Sequence, residues 1–205
     1  MRFIDEFIGS DTGLNSLGHR CKERQELDLE NYILFTGCSH TLGEGLEIEQ
    51  TFPFLVSKML NIDYYNLGLS GAGIDVLLYN LTIWFNKIPK KPKLLIVQYP
   101  DYTRFSSIID DTNNIIPRGN WDKSSQKFIV DAIDNGLFTA RKRMAVRQIE
   151  SFNVPTITFT HGNTEPYEPD SLRMRHLDYA TDNIHSGVKS HKEFASILTE
   201  LALDK

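Results

Sequence analysis

At 205 residues the chain has the length of one domain, enough to bury about 70% of its unfolded surface in a single core. Its 40% apolar and 24% charged content is ordinary for a soluble globular protein, and a formal net charge of -5 argues against a nucleic-acid binder, which shows a basic domain or stripe. Two cysteines, Cys21 and Cys38, are too few for a disulfide framework, and no apolar run approaches the roughly 18 to 20 residues of a membrane span.

Residues 1–30 are mixed and charged, with a short helix expected over Phe3 to Ile8, and read as an N-terminal arm laid on a domain spanning 31–205. The opening MRFIDEFIGSDTG places acids where a secretory signal needs an apolar core, so the expected site is cytoplasmic; packaging in a particle or release by lysis stays open. Tyr32 to Thr36 is a short strand that stops at Gly37-Cys38-Ser39-His40. Gln50 to Leu60 has helical spacing, DYYNLGLSGAG holds a second strand that dissolves into glycines, and Ile74 to Phe85 is an apolar helix. Pro92 to Pro100 is a buried strand bracketed by prolines. Ser106 to Asp122 is a long loop, read as a lid or as disorder, in which Trp121 either stacks on a sugar ring or pins the loop to the core. Asp122 to Phe152 is helical with a break at Gly136, Val154 to Thr160 is a fourth strand, and Ser186 to Leu203 is a closing helix.

Alternating strands and helices predict a three-layer α/β/α sandwich with a parallel, flavodoxin-like central sheet. In such sheets ligands sit beyond the carboxyl ends of the strands. The four loops there carry Cys38, Ser39 and His40; then Asn66, Gly68, Ser70, Gly71 and Gly73; then Gln98, Asp101 and Arg104; then His161, Gly162 and Asn163. The topology opens all four on one rim.

These residues resemble the SGNH/GDSL hydrolase family. Its first block, Gly-Asp-Ser-x-Thr-x-Gly, is similar to Gly37-Cys38-Ser39-His40-Thr41-Leu42-Gly43. Its second, Asn-x-Gly-x-Ser-Gly, is similar to Asn66-Leu67-Gly68-Leu69-Ser70-Gly71, and its last, Asp-x-x-His, to Asp182-Asn183-Ile184-His185. The resemblance implies Ser39 as nucleophile, His185 as general base, Asp182 as the group fixing its tautomer, and an oxyanion hole from the amides of Ser39 and Gly71. A serine hydroxyl needs such a base before it attacks.

Two positions depart from the pattern. Cys38 replaces an aspartate that mainly supports the turn. The third block, Gly-x-Asn-Asp, lacks its asparagine in VQYPDYTRF, where Asp101 falls nearby; Gln98, Arg104 and Asn163 are the candidate replacements, and some family members carry a Gln…Arg variant at this strand. His40 and His161 are candidates to line the pocket.

Other readings are weaker. Cys38 as a thiol nucleophile fits the family pattern less well than Ser39, and packing as a small hydrophobe suits it better. One Cys-x-His pair falls short of a zinc site. Gly68-x-x-Gly71-x-Gly73 lacks the order of a nucleotide loop. Arg141-Lys142-Arg143 and Arg147 read as a solvated helix face, and His191 as a solvated helix histidine. The resulting expectation is a cofactor-free ester hydrolase for small acyl groups, such as acetyl on a carbohydrate, with no nucleic-acid or membrane partner. Transfer of the acyl group to an acceptor other than water suits the same residues. The rival is a non-catalytic module for carbohydrate recognition or particle assembly that keeps the fold.

Overall fold

Two continuous apolar runs set the architecture. YILFT forms β1 (Tyr32–Thr36), and all five of its residues are buried. After the one-turn helix α1 (Ser39–Leu42) and helix α2 (Phe52–Leu60) comes β2 (Asp63–Asn66). Helix α3 (Ile74–Lys87) leads to the second run, LLIVQY, which is β3 (Leu94–Tyr99) and is equally buried. Strands covered on both faces belong at the centre of a parallel sheet, and β1 and β3 are neighbours there in parallel register, Leu34 beside Leu95. The computed structural model describes residues 13–205 apart from 110–113, 163, 166 and 168–170. The expected helix at Phe3 to Ile8 and the candidate Asn163 therefore lie outside the described residues.

The remaining elements are the strands β4 (Phe105–Ile109) and β5 (Asn114–Arg118), helices α4 (Gln126–Asp134) and α5 (Leu137–Ser151), strands β6 (Thr156–His161) and β7 (Leu172–Met174), and helix α6 (Val188–Leu203). The five-stranded sheet has the order β2-β1-β3-β6-β7, parallel throughout. That is the expected flavodoxin-like order in a three-layer sandwich. Helices α2 and α6 pack together, as do α3 and α5.

Alternation along β1 divides the core. Phe35 meets Phe52, which also touches Phe159, Phe194 and His191, in the layer of α2 and α6. Tyr32 faces the other way, towards α3, where the Trp84 indole N–H donates to its hydroxyl at 3.2 Å and Tyr65 packs on the same indole.

Two expectations need correction, and one element is new. The segment after β3 is not a structureless loop: β4 and β5 form an antiparallel hairpin, Phe105 beside Arg118, outside the main sheet. The short strand β7 was not foreseen. His191 is not solvated: it is 1% exposed, stacked on Phe52, and its Nδ1 accepts the Phe52 backbone N–H at 3.0 Å. Burial drives its pKa down to about 3. A neutral imidazole that satisfies an otherwise orphaned helix-entry amide is well suited to that place. The break at Gly136 separates α4 from α5, with φ at +67°.

Candidate active site

The strand order reverses between β1 and β3, and the loops leaving these two strands meet at the crevice where α/β proteins bind ligands. The first loop turns at once into α1. Its support comes from below: Gln98, 1% exposed at the end of β3, accepts the Thr41 hydroxyl at 2.6 Å and the Cys38 backbone N–H at 3.3 Å. Gly37 permits this approach, since a Cβ there would stand 2.6 Å from the Gln98 Cβ. Cys38 is buried among Leu69, Ala72 and Val76.

The second loop docks against α1 from the side. The Asn66 amide donates to the Thr41 carbonyl at 2.8 Å, and its oxygen accepts the Gly68 N–H at 2.9 Å. A Cβ on Gly68 would lie 2.7 Å from the Leu42 backbone nitrogen, so only glycine lets the two segments touch. These contacts leave Ser39 only 4% exposed at the first position of α1. The backbone N–H groups of Ser39 and Gly71, and the Ser39 hydroxyl, have no hydrogen-bond partner among the described residues.

The last loop carries Asp182 and His185. His185 Nδ1 lies 2.6 Å from Asp182 Oδ2, while Asp182 Oδ1 accepts the backbone N–H groups of Ile184 and His185, both at 2.9 Å. Burial pushes the Asp182 carboxyl up, but those bonds outweigh it and hold the group below its usual range. The loop is tied at its base, where Asp178 caps the entry to α6 by accepting the N–H groups of Lys189 and Ser190.

All these loops meet at Glu44 and Gly45. The Gly45 carbonyl accepts both the N–H and the hydroxyl of Thr181, at 3.3 and 2.9 Å. The Glu44 carboxylate accepts the Ser70 hydroxyl at 2.8 Å, and the same oxygen lies 3.7 Å from His185 Nε2. Nothing in the local sequence singles out Glu44; its role shows only when three loops are brought together.

The fourth loop joins through histidines. His161, at the end of β6, stacks on His40 with ring centroids 3.5 Å apart, and His40 meets the His185 ring edge-on at 5.1 Å. On its other side His161 Nε2 is 2.7 Å from the buried Ser186 hydroxyl, which also contacts His176 Nδ1 at 3.3 Å. Burial, then neighbouring histidines and Arg104, lower the pKa of His161 to about 4 and that of His40 well below its ordinary value. Both rings are neutral near pH 7. Neither Ser186, an unassigned position between His185 and Gly187 of the last block, nor His176, outside every block, carries a role in the sequence pattern.

Arg104 lies over the Trp121 ring at 5.1 Å. Its backbone approaches Gly73, and Asp75, in the first turn of α3, accepts the Ser106 N–H at 2.7 Å, which clamps the hairpin to that helix. Pro117 of the hairpin lies close against Gly71, whose φ is +66°. Beside His161 a cleft of about 900 Å³ opens between Asp101, Arg173, Arg175, His176 and Tyr179. The basic helix face is not wholly solvated: Lys142 pairs with Glu165 at 2.5 Å and Arg141 lies 3.7 Å from Asp75. Among the described residues no group of three or more His, Cys, Asp or Glu side chains could hold a metal ion, and no helix is long and apolar enough to cross a membrane.

This fold is shared with solved esterase structures. A carbohydrate esterase family 2 enzyme with a carbohydrate-binding domain, from Corynascus thermopiles (Myceliophthora fergusii), is similar at 13% identity with a TM-score of 0.53, over 84% of this chain and 65% of that one. A second carbohydrate esterase, described as having an active site with divergent catalytic and non-catalytic binding functions, is 16% identical with a TM-score of 0.53, over 86% of this chain and 69% of its own. A G-D-S-L family lipolytic protein from Desulfitobacterium hafniense is similar at 14% identity with a TM-score of 0.50, over 83% of this chain and 98% of that one. The chain thus spans just under two thirds of the first of these structures. No family model and no curated protein matches the sequence.

Proposed function

We propose that the protein is a serine-dependent ester hydrolase working through an acyl-enzyme. The observation that carries this reading is the Asp182–His185 pair, bonded at 2.6 Å and anchored through Gly45 to the segment that begins with Ser39. In the reaction Ser39 Oγ attacks the acyl carbon while its proton passes to His185 Nε2. The tetrahedral intermediate places its negative oxygen at the amides of Ser39 and Gly71. The C–O bond to the leaving alcohol then breaks, and the alcohol takes the proton from His185. Water, giving a proton to the same histidine, attacks the acyl-enzyme and releases the acid and the Ser39 hydroxyl. The protein's part is to orient the base and to hold donors ready for the developing charge.

The preferred substrate is a small acyl ester of a carbohydrate. Pro117 against Gly71 supports a short acyl group by narrowing the space beside that amide, and the carbohydrate esterases of like fold support the alcohol. Among the described residues neither other candidate replaces the asparagine of the third block: Gln98 spends its oxygen on the loop beneath Ser39, and Arg104 packs on Trp121. That observation, with the unpartnered Ser39 hydroxyl, favours a second reading, a binding module that has kept the fold.

A fluorophosphonate probe separates the two. Ser39 should be labelled, as located by peptide mass spectrometry, and His185→Ala should lose the label while remaining folded. Folded protein that takes no label, or takes it on Cys38 alone, would overturn the serine mechanism.

A further inference from the structure

The base of the proposed reaction has a carboxylate at each ring nitrogen. Asp182 faces Nδ1 at 2.6 Å, as a tautomer-fixing group does, but Nε2, the nitrogen that must exchange protons with Ser39 and the leaving alcohol, has Glu44 Oε2 at 3.7 Å. Glu44 is held in place by the Ser70 hydroxyl, beside the glycine proposed as an oxyanion donor. It remains partly open, its side chain 29% exposed, with its other oxygen uncommitted among the described residues. A substrate whose scissile bond reaches Nε2 must therefore lie beside this carboxylate.

We infer that Glu44 is a charge-selecting residue of the site. It admits esters bearing hydroxyl or ammonium groups next to the scissile bond and disfavours those bearing a carboxylate or phosphate there. This rests on the ester-hydrolase reading. The physical ground is Coulombic: a substrate charge within a few ångströms of Glu44 interacts with it at short range in a site only partly open to water. A hydroxyl gains a charge-assisted hydrogen bond instead. Other charges nearby do not duplicate the effect. Asp182 sits behind the imidazole, on the nitrogen that faces away from substrate. Arg104, whose charge reaches His40 and His161, acts in the opposite sense.

The test uses two p-nitrophenyl methylphosphonates that differ only in the alkoxy arm, one ending in trimethylammonium and one in carboxylate, with an uncharged ethyl arm as reference. Second-order labelling rates at Ser39 are compared within each protein, so any loss of folded fraction cancels from the ratio. In the wild type the cationic probe should react roughly 10-fold or more faster than the anionic one at low salt. Added salt should shrink that ratio. In Glu44→Gln, which keeps an acceptor for Ser70, the ratio should fall to within about 3-fold. Equal rates for the two charged probes on a wild type that the ethyl probe labels, or a ratio untouched by Glu44→Gln, would overturn the role of Glu44 alone. No labelling by any of the three would overturn the hydrolase reading and this inference with it.

Discussion

On the base side of the site the groups that orient the imidazole are paired: Asp182 receives two backbone N–H groups and His185 Nδ1, Thr181 is tied to Gly45, and Asp178 fixes the loop to α6. On the oxyanion side the amides of Ser39 and Gly71 and the Ser39 hydroxyl have no partner among the described residues. The first region is held by its own bonds. The second is held from outside, by Gln98 beneath, Asn66 beside and Pro117 against Gly71. Donors left open in a rigid frame are what a reaction that develops negative charge requires, since no bond must be broken to receive it. Preorganisation here means satisfied groups on one side and deliberately free ones on the other.

Substitutions can break this contrast. The largest effect is expected from Asp182→Asn, which keeps an acceptor for the backbone N–H groups but presents the wrong partner to Nδ1. Turnover of a small acetyl ester should fall by about 10³- to 10⁴-fold, with the thermal midpoint little changed. A fall of less than tenfold would mean that Asp182 serves only the loop.

Gln98→Leu should act in the reverse way. It strips the acceptor from Thr41 and Cys38 and leaves two buried donors unpaired, costing about 1–3 kcal/mol for each. Chemical denaturation should register the loss, and labelling of Ser39 should slow because the loop above has lost its prop. An unchanged denaturation midpoint would show that the frame is supported elsewhere.

The smallest and most graded effect concerns pH. His191 with a pKa of about 3, His161 at about 4 and the still neutral His40 all resist protonation when folded, whereas unfolded histidine takes a proton near 6.5. Unfolding therefore takes up protons in that window. Stability should be level above about pH 7 and decline from about 6.5 towards 4, by up to about 1.4 kcal/mol per pH unit for each histidine. Asp182 and Asp178, both lowered, keep their contribution until the pH falls below the ordinary carboxylate value of 3.8. The histidine stack should thus loosen before the base loop does. A denaturation midpoint that stays level from pH 7 to 4.5 would contradict this order.

What could be read in the chain follows from how local each signal is. Strands β1 and β3 declare themselves as apolar runs because both faces are covered. The Asp182–His185 pair is legible because its partners are three residues apart. Strand β7 was missed because it has only three residues, with exposed Arg173 at the centre, and the β4–β5 hairpin because it contributes nothing to the main sheet and carries Pro117. His191 was misread for a different reason. Its partner, the Phe52 amide, is 139 positions away, and no pattern around a helical histidine reports such a bond. Glu44 is the same case within the site: its meaning lies in Ser70 and His185, from two other loops.

The position of the Asp182–His185 loop, between β7 and α6, has a consequence for how the molecule is made. Ribosomal synthesis delivers β1, β2 and β3 first, so a nascent chain can close the middle of the sheet, and even the Ser39 turn with Gln98 beneath it, before β6 and β7 extend one edge. The Asp182–His185 loop arrives after that, and α6, which caps α2 through His191 and anchors Asp178, arrives last. Under the proposed mechanism, a chain that stops between β3 and the Asp182–His185 loop carries Ser39 without its base. If Ser39 is the nucleophile proposed above, the order of translation itself withholds its reactivity until the last loop is made.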